Sequence, residues 1–252
     1  MYCEPKTQPD AFLHLDEDVG AKLDFLINAF YAAWGLIFAF DPEVYFIVWT
    51  SVKVATSAPF FASVVGVPLG LALALRNFRG KPGVIVILNT LMALPTVAVG
   101  LLLYGFLSRR GPLGDWDLLF TPSGIALGLF VLALPTVINL TLAAIRSADP
   151  RLFVTCKLLG ATPVQQAWKI LTETRFAVTA AIVVALGRVI SEVGIAMMLG
   201  GNIKGFTRTM TTAIALETGK GEFELGLALG MILLLVAFGI NAMLSLLQRG
   251  EG

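Results

Sequence analysis

Two opposite charges, Arg188 and Glu192, stand in the otherwise apolar stretch 178–202. On one helix, residues four apart share a face, so the pair would line one side of a span. Charge at membrane depth is costly, and such residues face a partner or a water-filled cavity. Two roles fit these residues. They are a polar element of a translocation path or its gate, or they are an ion pair that neutralises itself and fixes helix packing. Arg before Glu is the weaker order for a pair within one helix, which leaves room for a partner on another helix.

A pentapeptide occurs twice in apolar surroundings: Ala93-Leu94-Pro95-Thr96-Val97 and Ala133-Leu134-Pro135-Thr136-Val137. A proline inside a span frees a carbonyl and bends the helix, which a membrane protein tolerates where neighbours or water satisfy the backbone. Pro95 and Pro135 are therefore expected in a pair of kinked helices lining a path; a chance repeat in an Ala-, Leu- and Val-rich chain is the alternative.

The longest polar interruption in the second half of the chain is 146–175. Asp149 is a good N-cap because its carboxylate accepts free N–H groups of the first turn. Pro150 suits the first helical position. Gly160 can take the left-handed conformation that ends a helix. Thr162 and Gln165 have capping-box spacing, with Pro163 again at a first helical position. The prediction is two short helices joined at Gly160, outside the membrane, with hydrophobic spans on both sides.

Other chemistry is thin. His14 lies in an acidic tail, and Cys3 and Cys156 make neither a disulfide framework nor a metal site. Gly200 and Gly205 have P-loop glycine spacing, but Phe206 stands where the lysine belongs, so a flexible turn is expected. With no nucleotide site, Ser-His-Asp set or acid pair in a soluble pocket in evidence, the chain is expected to be non-catalytic, without a cofactor or metal. Arg109, Arg110, Lys204 and Arg208 could receive an anion or an acidic partner face; four dispersed charges are more often just a solvated surface.

Only 14% of the 252 residues are charged and 57% are hydrophobic, with mean hydropathy +0.83. Soluble domains average about 25% charged residues, so this is an integral membrane protein. The net charge of +1 provides no field for nucleic acid. Residues 1–24 are polar and acidic and do not begin as a secretory signal does. The uncharged, aromatic-rich run 25–40 reaches about 24 Å as a helix, short of the ~30 Å hydrocarbon core. An interfacial helix is preferred there, with a short tilted span as competitor.

Five spans are expected. The first is 54–75, its helix beginning near residue 44, with Gly66 and Gly70 as a close-packing face. The second is 84–107 with Pro95 inside. The third lies in 118–145 with Pro135 inside and Gly124 and Gly128 as another small-residue face. The fourth begins at Phe176 and includes Arg188 and Glu192, and the last is 225–248. With 146–175 inside, the inner segments hold nine Lys/Arg and three acids in 42 residues; the outer ones hold eight and 13 in 84. The greater basic density inside supports an outside N-terminus and an inside C-terminus.

The 146–175 loop resembles the cytoplasmic coupling loop of ABC-transporter permeases, whose signature is Glu-Ala-Ala, two residues, then Leu-Gly-Ala. Leu159-Gly160-Ala161 matches. Val154-Thr155-Cys156 departs from the acidic half, so no role of that Glu passes to Val154. More specific are Gly187-Arg188-Val189-Ile190-Ser191-Glu192-Val193-Gly194, Met197-Met198-Leu199-Gly200-Gly201-Asn202-Ile203 and Thr211-Thr212-Ala213-Ile214-Ala215-Leu216-Glu217-Thr218. With Asn89-Thr90-Leu91-Met92-Ala93-Leu94-Pro95 and Ser108-Arg109-Arg110-Gly111-Pro112-Leu113-Gly114, they resemble the tungstate-type permeases of bacteria and archaea, relatives of the molybdate permeases.

The resemblance covers about residues 41–248. It implies an all-α type I ABC importer permease fold with five transmembrane helices and an N-terminal interfacial helix, in the cytoplasmic membrane. Residues 1–43 would form the extracytoplasmic tail and interfacial helix, 44–248 the permease domain, and 249–252 a cytoplasmic tail. The implied function is import of a tetrahedral oxyanion, tungstate before molybdate. The implied partners are a second permease copy, ABC ATPase subunits docked at Asp149, Leu159, Gly160 and Ala161, and an extracytoplasmic oxyanion-binding protein. A stand-alone channel or secondary transporter remains an alternative class, and a membrane-embedded enzyme, which would need a catalytic constellation at the bilayer surface, is the weaker one.

Overall fold

The computed structural model describes residues 41–249 together with residues 27, 30, 31, 33–36, 38 and 39. The expectations for the acidic tail, for Cys3 and His14, and for 250–252 lie outside the described residues. Those described between 27 and 39 are helical up to a turn at Ala39, and they present the exposed aromatics Tyr31, Trp34 and Phe38.

Helix α1, Pro42–Leu75, is 34 residues long. Asp41 starts it, its Oδ1 accepting from the N–H groups of Glu43 (2.8 Å) and Val44 (3.3 Å). At 1.5 Å per residue it extends about 51 Å, well beyond the bilayer core. At its far end Lys81 donates from Nζ to the carbonyls of Ala74 and Arg76, a cation on the negative end of the helix.

The second expected span is not one helix. Helices α2 (Lys81–Ala93) and α3 (Thr96–Leu107) meet at 97°. Leu94 is extended (φ −62°, ψ 140°), as a residue before proline is pushed to be, and Pro95 caps α3. The second copy of the pentapeptide behaves differently. Pro135 lies inside the unbroken α4, Pro122–Arg146. Packing decides between them: α4 is buried along most of its length against α1, α2 and two later helices, whereas Leu88 is the one buried residue of α2.

Helices α5 (Pro150–Leu158) and α6 (Pro163–Glu173) follow, then α7 (Arg175–Ile190), bent 69° from α6. Here a second expectation is corrected. The fourth span ends at Ile190, and Glu192 lies in the turn before α8 (Gly194–Gly200), so Arg188 and Glu192 share no helix face. Helix α9 (Met210–Lys220) and α10 (Phe223–Arg249) complete the order. Among the described residues three helices, α1, α4 and α10, are long and apolar enough to cross a membrane; the bent pairs α2–α3 and α6–α7 make five if each is one span.

Small residues let the central helices meet. A Cβ on Gly66 would lie 3.0 Å from Val137 Cγ1, and one on Gly70 would lie 2.8 Å from the Ile138 carbonyl oxygen and from Thr141 Cβ. The expected packing face of α1 is thus the seam with α4. On the other side of α4, a Cβ on Gly128 would strike Ile195 and Leu199 of α8 at 2.5 Å. Ala55, Ala58, Ala62, Ile125, Leu129, Ile195 and Leu199 fill the main core between these helices. A smaller core joins Val44 and Ile47 to Met210, Ala213 and Leu229.

Candidate functional site

The 146–175 loop is built from local signals. Asp149 Oδ1 accepts from the Arg151 N–H at 2.8 Å. After α5 the Ala161 N–H donates to the Cys156 carbonyl and the Gly160 N–H to the Lys157 carbonyl, the paired bonds of a Schellman ending. Gly160 has φ +68°, where a side chain would strain the backbone. Thr162 and Gln165 form the reciprocal capping box.

Packing then separates two faces of this loop. Cys156 and Ile170 are buried toward the body of the protein. Leu158 (82% exposed), Leu159 (80%), Trp168 (73%), Val154 and Val164 point away from it. Single exposed apolar residues are ordinary; here five stand on one polar loop. Gly160 and Ala161 lie at the corner between the helices that carry it.

Arg188 finds partners on other helices. Its Nη2 donates to the Met92 carbonyl of α2 at 2.8 Å, and Nη1 donates to Thr136 Oγ1 of α4 at 3.2 Å. Met92 is in the last turn of α2, where carbonyls have no intrahelical donor. The guanidinium thus satisfies backbone exposed by the break at Pro95. Asn139 Nδ2 donates to Met92 Sδ at 3.2 Å and to Asn89 Oδ1. Among the described residues, no carboxylate lies within ion-pair distance of Arg188.

Glu192 is engaged elsewhere. Its Oε1 accepts from the N–H groups of Gly194 (2.9 Å) and Ile195 (3.4 Å), a carboxylate on the positive end of α8. Its carbonyl accepts from Thr211 Oγ1 at 3.0 Å. Gly194 in turn faces the start of α3: a Cβ there would lie 2.9 Å from Val97 and 3.2 Å from Thr96 Oγ1. The structure therefore nests the α7–α8 break against the α2–α3 break. Pro95 is at this junction; Pro135 is inside α4, beside Thr136.

Of the four outer basic residues, two are committed. Arg208 Nη1 reaches Glu43 Oε1 and Glu217 Oε1, each at 3.3 Å, and Lys204 Nζ reaches Glu43 Oε2 at 2.7 Å. Lys220 also pairs with Glu217, which is 2% exposed. This network ties the start of α1 to α9. Arg109 and Arg110 are exposed on the loop after α3.

Sequence reasoning missed the Arg188 partners and the Glu43–Arg208–Glu217 network. The available signal was polar residues in apolar runs: Asn89, Thr136 and Asn139 for the first, Glu217 after a threonine-rich turn for the second. The pairings of Arg188, of Asn139 and of Glu43 with Arg208 span 47 to 165 positions along the chain, beyond any local pattern, and Arg208 and Glu217 are nine apart across the turn before α9.

Residues 66–251 match the family described as binding-protein-dependent transport system inner membrane component. The chain belongs to that family. The tungstate uptake system permease protein TupB of Campylobacter jejuni is 41% identical over 227 residues, covering 90% of this chain and 95% of that protein. TupB of Peptoclostridium acidaminophilum is 38% identical over the same length, covering 90% and 100%. The Escherichia coli molybdenum transport system permease ModB is more distant, 30% identical over 217 residues, covering 78% and 93%.

The permease fold has solved counterparts. A chain of the MetNI methionine ABC transporter in an inward-facing conformation superposes with TM-score 0.68 at 18% identity, covering 84% of this permease and 99% of that chain. A chain of a bacterial alginate ABC transporter superposes at 0.63 with 20% identity, covering 95% of each. The architecture is that of type I ABC importer permeases, in a multi-pass protein of the inner membrane.

Proposed function

We propose that this permease is the membrane subunit of an ATP-driven importer that carries tungstate inward, with molybdate as the second candidate. The observation that supports the substrate is the 38–41% identity to two tungstate uptake permeases over 90% of the chain. The observation that supports the coupling is the exposed apolar face of the 146–175 loop.

The permease domain comprises 44–248, and two copies enclose the path. ATP hydrolysis belongs to a partner ATPase, which grips Leu158, Leu159 and Trp168 around the corner at Gly160; Asp149 holds the first helix of the loop in place. A binding protein outside delivers the anion. Closure of the ATPase pair moves α5 and α6, and α6 passes the motion to α7 through the bend at Thr174. The nested breaks at Pro95 and Glu192, with Arg188 between α2 and α4, form the moving part of the path. Pro135 lies within the helix against which they move.

The test is ATP-dependent uptake of tungstate, molybdate and sulfate into vesicles holding the permease with its ATPase and binding protein. Saturation at low tungstate, with weak competition from the other two, is the expected result. An intact complex that imports none of them overturns the oxyanion assignment.

A further inference from the structure

We infer that Arg188 and Asn89 form a transient subsite on the path for a fully ionised tetrahedral oxyanion, with Arg188 as the charged donor. The inference rests on the proposed oxyanion transport and names the residues that touch the anion within the membrane.

Arg188 is a cation in an apolar helix, hydrogen-bonded only to a neutral carbonyl and a neutral hydroxyl. A guanidinium has five N–H donors, and those two bonds use two. The residue is half-buried, so the remaining donors are not sealed in the core. A charge at membrane depth is normally matched by a partner or by water. The nearest acid in sequence, Glu192, is occupied by the N–H groups of α8. The matching charge is therefore the cargo.

Asn89 completes the set. It lies three residues before Met92, on the same face of α2. Its Oδ1 accepts from Asn139, which leaves its NH₂ group as donor, and the residue is exposed. The free donors around Met92 are thus on Arg188 and Asn89, and the free acceptor beside them, Asn139 Oδ1, is neutral. A cluster of donors without a carboxylate suits an anion with no proton to place. Charge-assisted bonds from guanidinium to an oxyanion are short and directional, strong enough to admit the ion. Two donor groups, against the enclosing shell of a storage site, hold it briefly enough for release.

The neutral anchors also give the site a second state. When the anion arrives, the Nη2 group can exchange the Met92 carbonyl for an anion oxygen. The end of α2 is then released at the break beside Pro95, coupling occupancy to movement of the broken helix.

The deciding experiment compares tungstate uptake by the complete transporter in vesicles for wild type, R188K, R188Q, N89D and N89L. Each variant is first matched for amount in the membrane and for ATPase attached. Expected are an uptake loss of about tenfold or more for R188Q and for N89D, a smaller loss for R188K, and the smallest for N89L. Asn89 is exposed, so N89D tests charge without disturbing the core and decides the matter if R188Q fails to fold. Wild-type uptake in N89D, or equal losses in N89D and N89L, overturns the subsite while leaving oxyanion transport standing. A wild type that imports no oxyanion overturns the parent reading and this one together.

Discussion

The guanidinium of Arg188 donates to the carbonyl of Met92 at 2.8 Å, joining α7 to the end of a helix broken two residues later at Leu94–Pro95. One side chain thereby does what an unbroken helix would do with its own backbone. Replacing Arg188 with Met leaves that carbonyl unpaired. The expected cost is about 1 kcal/mol, the loss of a charge-assisted bond to a half-buried acceptor. A lowered thermal midpoint of the detergent-purified permease checks it; an unchanged midpoint means the carbonyl finds water instead.

Gly160 tests the corner of the loop by backbone alone. Nothing lies within 4 Å of a Cβ built there, yet φ is +68°. Gly160→Val should cost roughly 1–2 kcal/mol locally through left-handed strain, with no steric clash. The transporter should still assemble in the membrane but hydrolyse ATP with little uptake. Normal uptake per ATP would remove Gly160 from the coupling role.

Trp168 and Leu158 should be dispensable for folding and needed for assembly. Both are largely exposed, so Trp168→Ala with Leu158→Ser should change stability by less than about 0.5 kcal/mol each. The double variant should lose its ATPase on copurification. Retention of a full complement of ATPase argues that another surface makes the contact.

Two glycines on spans should give opposite results. Gly70→Val places a side chain 2.8 Å from backbone and side chain of α4, so α1 must separate from it and folded yield should collapse. Gly230→Val in α10 meets nothing within 4 Å and should leave yield near wild type. Quantitative expression of monodisperse protein distinguishes them.

Glu217 should matter far more than Lys204. Glu217→Gln removes the buried carboxylate facing Arg208 and Lys220 and should cost about 1.5–3 kcal/mol, since Arg208 keeps Glu43. Lys204→Ala breaks only a solvent-facing pair with Glu43, where ion pairs contribute about 1 kcal/mol or less. Thermal midpoints measured side by side provide the comparison.

Helix ends were legible in the chain itself. Asp149, Thr162 and Gly160 act on groups two to four residues away, so residue type and spacing determine what they do. The apolar runs, the Gly66–Gly70 packing face and the corner of the 146–175 loop followed from the same local physics, while the partner of that face, α4, came from the fold. The two copies of Ala-Leu-Pro-Thr-Val mark the limit. Identical residues break the backbone at Pro95 and leave α4 whole at Pro135, because only the second is enclosed by neighbours. Likewise the spacing of Arg188 and Glu192 suggested one helix face, while the fold places a turn between them and supplies each with better partners: a carbonyl and a hydroxyl for the cation, free N–H groups for the carboxylate. Tertiary structure decides these cases because a proline or a charge in a span is satisfied by whatever groups packing brings beside it, and those come from residues distant in sequence.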